Sequence, residues 1–345
     1  MIHFECDYTE GAHPAVMQRL CETNMEQTAG YGNDPHCEHA AELIRKLCNA
    51  PAAGVHFLVG GTQANKTVIA ATLRPYQGVI AADSGHIAVH ETGAIEATGH
   101  KVLTLPSTDG KITGEQVRDL CRAHASDPDQ EHCVQPGMVY ISFPTEVGTL
   151  YTKEELEELS EACREYDLPL FVDGARMGYG LTADGNDVTL PDIARLSDVF
   201  YIGGTKVGAL FGEAIVITDS EIDNCFRYMI KQTSGLLAKG RLLGVQFATL
   251  LENGLYTKIA RHANEQAMRI RKALEEKGVK MLNDSTTNQQ FALMPNEMLH
   301  RLSEHFVFSV SNAEVGSGLT LVRICTSWAT TDHAVEKLIA EIQNC

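Results

Sequence analysis

Short, almost wholly apolar runs alternate with helical patterns along the first two-thirds of this chain. The runs are Val55-His56-Phe57-Leu58-Val59, Gly78-Val79-Ile80-Ala81-Ala82, Lys101-Val102-Leu103-Thr104-Leu105, Met138-Val139-Tyr140-Ile141-Ser142, Leu168 to Asp173, Ser197 to Ile202 and Gly212 to Ile217. A strand that is apolar on both faces cannot border water. Strands of this kind, spaced by helices, belong to a mainly parallel sheet covered on both sides. The expected fold class is therefore α/β. Ala15–Asn24 is helical, and Ala40, Ala41, Leu43, Ile44 and Leu47 share one helical face. Thr113-x-x-Gln116 and Thr152-x-x-Glu155 carry the residues of capping boxes, opening helices to Ala123 and through Tyr166. Leu236 to about Lys277 has long helical character, with interleaved charges that mark a solvated face. Gly278–Leu282 and Leu319–Cys325 are strand candidates, and Asp332–Gln343 is a terminal helix. We expect a large domain over residues 1–248 and a smaller α+β domain over 249–345, with no internal repeat.

Composition narrows the function. The 345 residues are 44% hydrophobic and 21% charged, which suits a packed core. A formal charge of −17 argues against a nucleic-acid or anionic-membrane surface. No apolar stretch reaches transmembrane length. Met1-Ile2-His3-Phe4-Glu5-Cys6-Asp7 lacks the basic and apolar regions of a signal peptide. Ten cysteines without a Cys-x-x-Cys pair fit reduced thiols in the cytoplasm. The final Cys345 stands too late for a prenylation signal.

Several short pieces carry chemistry. Phe200-Tyr201-Ile202-Gly203-Gly204-Thr205-Lys206 reads as a buried strand that delivers an amine to a cleft. Such an amine suits a Schiff base with pyridoxal phosphate; a lysine ending a strand in water is the plainer alternative. Gly60-Gly61-Thr62 lies between a strand and a helix, where free amides cradle phosphate. The same stretch partly matches a P-loop through Lys66 and Thr67, but Asn65 stands where that motif needs glycine. Asp173-Gly174-Ala175-Arg176 puts a carboxylate at a strand's carboxyl end, suited to a pyridinium nitrogen or to a Mg²⁺ ion. Arg176 offers a fork for a substrate carboxylate, or a surface salt bridge. His86 follows a strand, and His90 shares its helical face; without a third ligand we assign no metal. Arg323, within an apolar strand, needs a partner: a substrate carboxylate or an internal carboxylate.

In order and spacing these pieces resemble fold-type-I pyridoxal-phosphate enzymes, and more narrowly the threonine aldolase / β-eliminating lyase family. The resemblance spans nearly the whole chain: Tyr31-Gly32-x-Asp34-Pro35, Gly61-Thr62-Gln63-Ala64-Asn65, His86-x4-Glu91-x-Gly93, Asp173-Gly174-Ala175-Arg176, Gly204-Thr205-Lys206 and Arg323. It implies pyridoxal 5'-phosphate bound to Lys206, with Asp173 on the ring nitrogen, His86 stacked on the ring, and Gly61 and Thr62 on the phosphate. It implies Arg176 and Arg323 on the substrate carboxylate. Members of the family are usually homotetramers built from dimers that complete each other's sites, and Tyr31 and Lys231 are our candidates for that contribution.

Two departures fall on the substrate side. Family aldolases usually carry a histidine in the loop that here reads Phe143-Pro144-Thr145-Glu146-Val147-Gly148, so Glu146 stands in its place as a candidate base. An Arg-Ser-Asp run near the family's N-terminus is here Glu5-Cys6-Asp7, which puts Cys6 beside the substrate. The expected activity is cleavage of a β-hydroxy amino acid to glycine and an aldehyde, with β-elimination as the alternative. The rivals from other classes are a nucleotide hydrolase using Lys66, Thr67 and Asp173, and a non-catalytic scaffold.

Overall fold

The computed structural model of the chain describes residues 1–314 and 318–345. After a short N-terminal strand β1 (Ile2–His3), the central sheet takes β2 (Gly54–Leu58), β3 (Gln77–Ala82), β4 (Val102–Leu105), β5 (Gln135–Ser142), β6 (Leu170–Asp173), β7 (Val199–Gly203) and β8 (Glu213–Ile217). Their spatial order is β2-β8-β7-β6-β5-β3-β4. Neighbours are parallel from β4 through β7, and β8 runs antiparallel to both β7 and β2. Reversing only β8 puts its first residue, Glu213, at the edge where the other strands end.

Alternation along the strands makes two cores. Phe200 and Ile202 of β7 and Val139 and Ile141 of β5 pack on one face; Tyr201, Val199, Met138 and Tyr140 pack on the other. Each such large apolar side chain contributes about 1.5–3 kcal/mol when fully buried. The expected capping boxes are present, with Thr113 and Gln116 opening helix Gly114–Ser126, and Thr152 and Glu155 opening Lys153–Glu165.

The long helical region is divided. Helix Arg241–Leu251 ends at Asn253 and Gly254, with φ of 54° and 68°, before helix Leu255–Glu276 begins. Beyond it lie β9 (Lys280–Met281), β10 (Gln289–Pro295), β11 (Phe306–Val307), β12 (Ser309–Glu314) and β13 (Leu319–Cys325). Four of these form a second sheet, ordered β12-β13-β10-β9, over its own apolar cluster. β10 escaped the sequence reading because Gln289 and Gln290 break its apolar pattern, although both are fully buried. Residue 248, the expected division, falls within helix Arg241–Leu251, and the large core continues beyond it to Ala263. The N-terminal strand crosses that division: β1 pairs with β11, and Phe4 lies in the C-terminal cluster.

Candidate active site

Six of the seven central strands end at one edge of the sheet, and the segments that follow them meet there. That is where open α/β sheets bind ligands. A cavity of about 350 Å³ opens there, lined by Gly60, Gly61 and Thr62 after β2, His86 after β3, Glu146 after β5, Asp173 and Arg176 at β6, Lys206 after β7, and Glu213. Sequence pieces from Gly60 to Glu213 therefore share one space.

Close backbone approach sets the spacing of Asp173 and Lys206. The Gly203 N–H donates to the Gly174 carbonyl at 2.9 Å. A Cβ on Gly174 would stand 1.9 Å from the Tyr201 carbonyl oxygen, and one on Gly203 would stand 2.4 Å from that of Ala175. Only glycine lets the two strand ends come this near.

Four donors converge on the buried Asp173 carboxylate. The Tyr201 hydroxyl and the Ala175 N–H donate to Oδ1, and the Tyr140 hydroxyl (2.6 Å) and Asn65 Nδ2 (3.1 Å) donate to Oδ2. Asn65 Nδ2 also donates to Glu91 Oε1 at 2.7 Å, and His86 Nδ1 meets the same oxygen at 2.8 Å. A carboxylate only accepts, so Nδ1 carries the proton and Nε2 is left as the acceptor.

The Glu146 Oε1 atom accepts from the Ser142 hydroxyl at 2.6 Å and from the His86 N–H at 2.8 Å. Burial pushes the Glu146 carboxyl up despite these donors. Burial and the neighbouring Arg176 guanidinium push the Lys206 amine down, while Asp7, Asp173 and Glu213 pull the other way. The Lys206 Nζ atom stands 5.9 Å from the centre of the Tyr8 ring.

The residues fit a pyridoxal-phosphate group. Helix Gly61–Thr72 starts at Gly60 with no side-chain cap, which leaves its first amides for an anion. A Cβ on Gly61 would come within 3.1 Å of the Tyr201 hydroxyl, so the glycine keeps that corner open.

The β-eliminating lyase family model matches residues 4–297. The chain belongs to the β-eliminating lyase family. Over 347 residues it is 30% identical to a low specificity L-threonine aldolase of Pseudomonas sp. (strain NCIMB 10558), covering 99% of this chain and 96% of that protein. It is 28% identical over 344 residues to the enzyme of the same name from Pseudomonas aeruginosa, again covering 99% and 96%. The solved Leishmania major threonine aldolase superposes with a TM-score of 0.97 at 43% identity, covering 100% of this chain and 99% of that one. An aspartate aminotransferase of Thermus thermophilus, at TM-score 0.72 and 18% identity, shares the fold.

Within this β-eliminating lyase, other expected residues lie farther out. Arg176 lines the cavity, but its Nε and Nη2 groups are taken by Asp7. Cys6 and Arg323 are outside the cavity lining. An Arg323 Nη2 N–H donates to the Glu5 carbonyl at 3.1 Å, while its buried Nε has no partner among the described residues. Tyr31 and Lys231 meet on another surface, with Nζ 5.0 Å from the ring centre. The P-loop alternative fails on placement. Lys66 faces a separate surface hollow, and the Thr67 hydroxyl donates to the Gln63 carbonyl at 2.7 Å. The His86 and His90 rings lie 5.7 Å apart, and no metal-ligating group of three stands among the described residues.

Sequence reasoning read Tyr140, Tyr201 and Glu213 only as strand residues. The signal was available for the tyrosines: a phenol inside an apolar strand needs a partner for its hydroxyl.

Proposed function

We propose that this chain cleaves L-threonine, allo-threonine or a related β-hydroxy-α-amino acid to glycine and an aldehyde, with pyridoxal 5'-phosphate as cofactor. The observation that carries this reading is the convergence of the Lys206 amine, the clamped Asp173 carboxylate and the uncapped amides after Gly60 on one cavity. The threonine aldolases that match the chain end to end support it.

Lys206 would hold the cofactor's aldehyde carbon, Asp173 its ring nitrogen, Gly61 and Thr62 its phosphate, and His86 its ring face. When bound, the cofactor supplies a protonated ring that accepts the electron pair of a bond broken at the substrate Cα. Arg176 holds the substrate carboxylate and so fixes which bond stands ready to break, while Arg323 stands outside the cavity lining. Arg176 brings its Nη1 group, since Asp7 takes the Nε–H and one Nη2–H. Glu146 removes the proton from the substrate β-hydroxyl. Its raised proton affinity makes it a stronger base than an ordinary carboxylate. His86, fixed by Glu91, adds an acceptor at Nε2. Lys206 or water returns a proton to Cα.

The same reading includes assembly with copies of itself, in which Tyr31 and Lys231 serve a neighbour's site from their surface position. It also places the protein in the cytoplasm, which suits ten cysteines that are all unpaired. No described helix is long and apolar enough to cross a membrane.

An absorption scan of the purified protein and an amino-acid panel test the proposal. Visible absorption, with acetaldehyde and glycine formed from threonine, is the expected result. Pyruvate from serine with no aldehyde from threonine would replace cleavage by elimination, and a colourless, inert protein would overturn the reading.

A further inference from the structure

Asn65 lies one turn beyond Gly61 in helix Gly61–Thr72 and is fully buried, yet the chemistry above gives it no part. Its Nδ2 group donates one hydrogen to Glu91 Oε1 at 2.7 Å and the other to Asp173 Oδ2 at 3.1 Å. Its Oδ1 atom has no partner among the described residues. An apolar side chain could fill the same space without burying an unpaired carbonyl. The amide is therefore there for its two hydrogens. Turning it over would aim Oδ1 at two carboxylates, so its orientation is fixed.

The two acceptors differ in what else they hold. Asp173 takes three further donors, from the Tyr201 and Tyr140 hydroxyls and the Ala175 N–H. The Glu91 side chain is sealed from solvent, and its other bond is to His86 Nδ1 at 2.8 Å. Both bonds fall on Oε1, and Oε2 has no partner among the described residues. Asn65 thus supplies one of four donors to Asp173 but one of two to Glu91. A buried carboxylate that loses half its donors gains most from a full positive charge beside it. The His86 ring is the group in contact to carry that charge.

The other titratable groups near His86 are otherwise engaged. The His90 ring lies 5.7 Å away, and burial, His86 and Arg323 all disfavour its cation. Glu146 meets His86 through the backbone N–H, and Asp83 accepts from the Ser107 N–H. Elsewhere in the cavity lining, Arg176 is paired with Asp7, and Glu213 accepts from Gly204 and Thr205. Tyr8 and Lys206 complete the titratable lining. Among the described residues, none of these bonds to Glu91.

We propose that Asn65 is a positioning residue that sets the proton count on His86. By dividing its hydrogens between Glu91 and Asp173, it lets Glu91 stay charged beside a neutral His86, whose Nε2 remains an acceptor. Without the amide, Nε2 takes a proton from solvent and that acceptor is lost. The same side chain ties the phosphate helix, Asp173 and His86 into one unit. The inference rests on the reading of Asp173 and His86 as groups that hold the cofactor.

Long-range proton–nitrogen NMR of the cofactor-free full chain, labelled with ¹⁵N-histidine, tests it. The His86 signals are identified by their loss in His86→Gln. At pH 8 the wild type should show a protonated Nδ1 and a bare Nε2. In Asn65→Ala and Asn65→Leu, the pH at which His86 takes its second proton should rise by about one unit or more, as expected for a lost hydrogen bond to a charged acceptor. Tyr140→Phe removes a donor from Asp173 and none from Glu91, so it should leave that midpoint in place. A wild-type His86 with a bare Nδ1, or with both nitrogens protonated at pH 8, overturns the inference even if no variant folds. So does an Asn65 variant with the wild-type midpoint, or a Tyr140→Phe shift of equal size. Added pyridoxal phosphate should move the wild-type His86 signals. If it does not, the cofactor reading of the cavity falls, while the midpoints still decide the role of Asn65.

Discussion

Asp7 and Arg176 form a closed fork: Nε donates to Oδ2 at 2.7 Å and Nη2 donates to Oδ1 at 3.0 Å. Asn288 Nδ2 adds a third donor to Asp7 at 2.8 Å. The carboxylate comes from the N-terminal segment that follows β1, the guanidinium from the turn after β6, and the amide from the second sheet region. One buried ion pair therefore ties three parts of the chain together at the cavity.

Removing one partner of such a pair leaves an uncompensated buried charge. Asp7→Ala should destabilise the protein by about 3–5 kcal/mol at pH 7. Burial alone would raise the Asp7 carboxyl, but Arg176 and Lys206 outweigh it and hold it below its usual value. A depressed folded pKa contributes stability that is complete above the unfolded value near ~3.9 and is lost as pH falls through the folded value. Urea melts from pH 3 to 7 should show the gap between wild type and variant closing below about pH 4. A gap that stays constant with pH would refute the assignment.

Gly174 and Gly60 make opposite predictions. Gly174→Ala drives a methyl group into the Tyr201 carbonyl and the Met177 side chain. Thermal melts should show a loss above about 4 kcal/mol, or no folded protein. Gly60 has an extended backbone, with φ of −177°, and nothing within 4 Å of an added Cβ. Gly60→Ala should stay within about 1 kcal/mol of the wild type. Equal melting points for the two variants would contradict the close approach at Gly174.

This difference shows what the sequence could reveal. Chemistry concentrated at strand ends was legible: Lys206, Asp173, His86 and Gly61 stood out by position, Glu146 only through the family resemblance, and the structure gathers all five around one cavity. The strands were legible where both faces are apolar. The unreadable part depends on long-range pairing. Nothing local says that Asp7 will occupy Arg176 across 169 positions, or that β8 will run backwards and bring Glu213 beside Lys206. Asn65 looked like a flaw in a phosphate motif until its amide was seen bridging Asp173 and Glu91.

Lys206→Ala and Asp173→Asn should separate anchoring from electronics. The first removes the only lysine among the described residues that line the cavity, so visible absorption on loading with pyridoxal phosphate and turnover should vanish together. The second keeps the shape but removes the charge. It should still take up the cofactor while activity falls on the order of 10²-fold or more. A Lys206→Ala protein with an unchanged, pH-insensitive visible band, or an Asp173→Asn protein with full turnover, would each remove the corresponding role.

Glu146→Gln tests the base. Glutamine keeps an Oε1 atom that accepts from Ser142 and His86, so the loop stays in place and stability should change little. Proton removal from the substrate hydroxyl is lost, and kcat should fall by about 10²–10⁴-fold. The pH profile decides whether the loss is chemical. Burial raises the Glu146 carboxyl, so the wild-type kcat/KM for threonine should decline on the acid side through a pKa above the usual ~4.3 for glutamate. Below that pKa the carboxyl is protonated and cannot accept the hydroxyl proton; above it the rate is full. In Glu146→Gln this acid limb should disappear, leaving a low and flatter profile. If the variant keeps the limb at the same pH, the proton goes to another group, and His86 Nε2 becomes the base to test next.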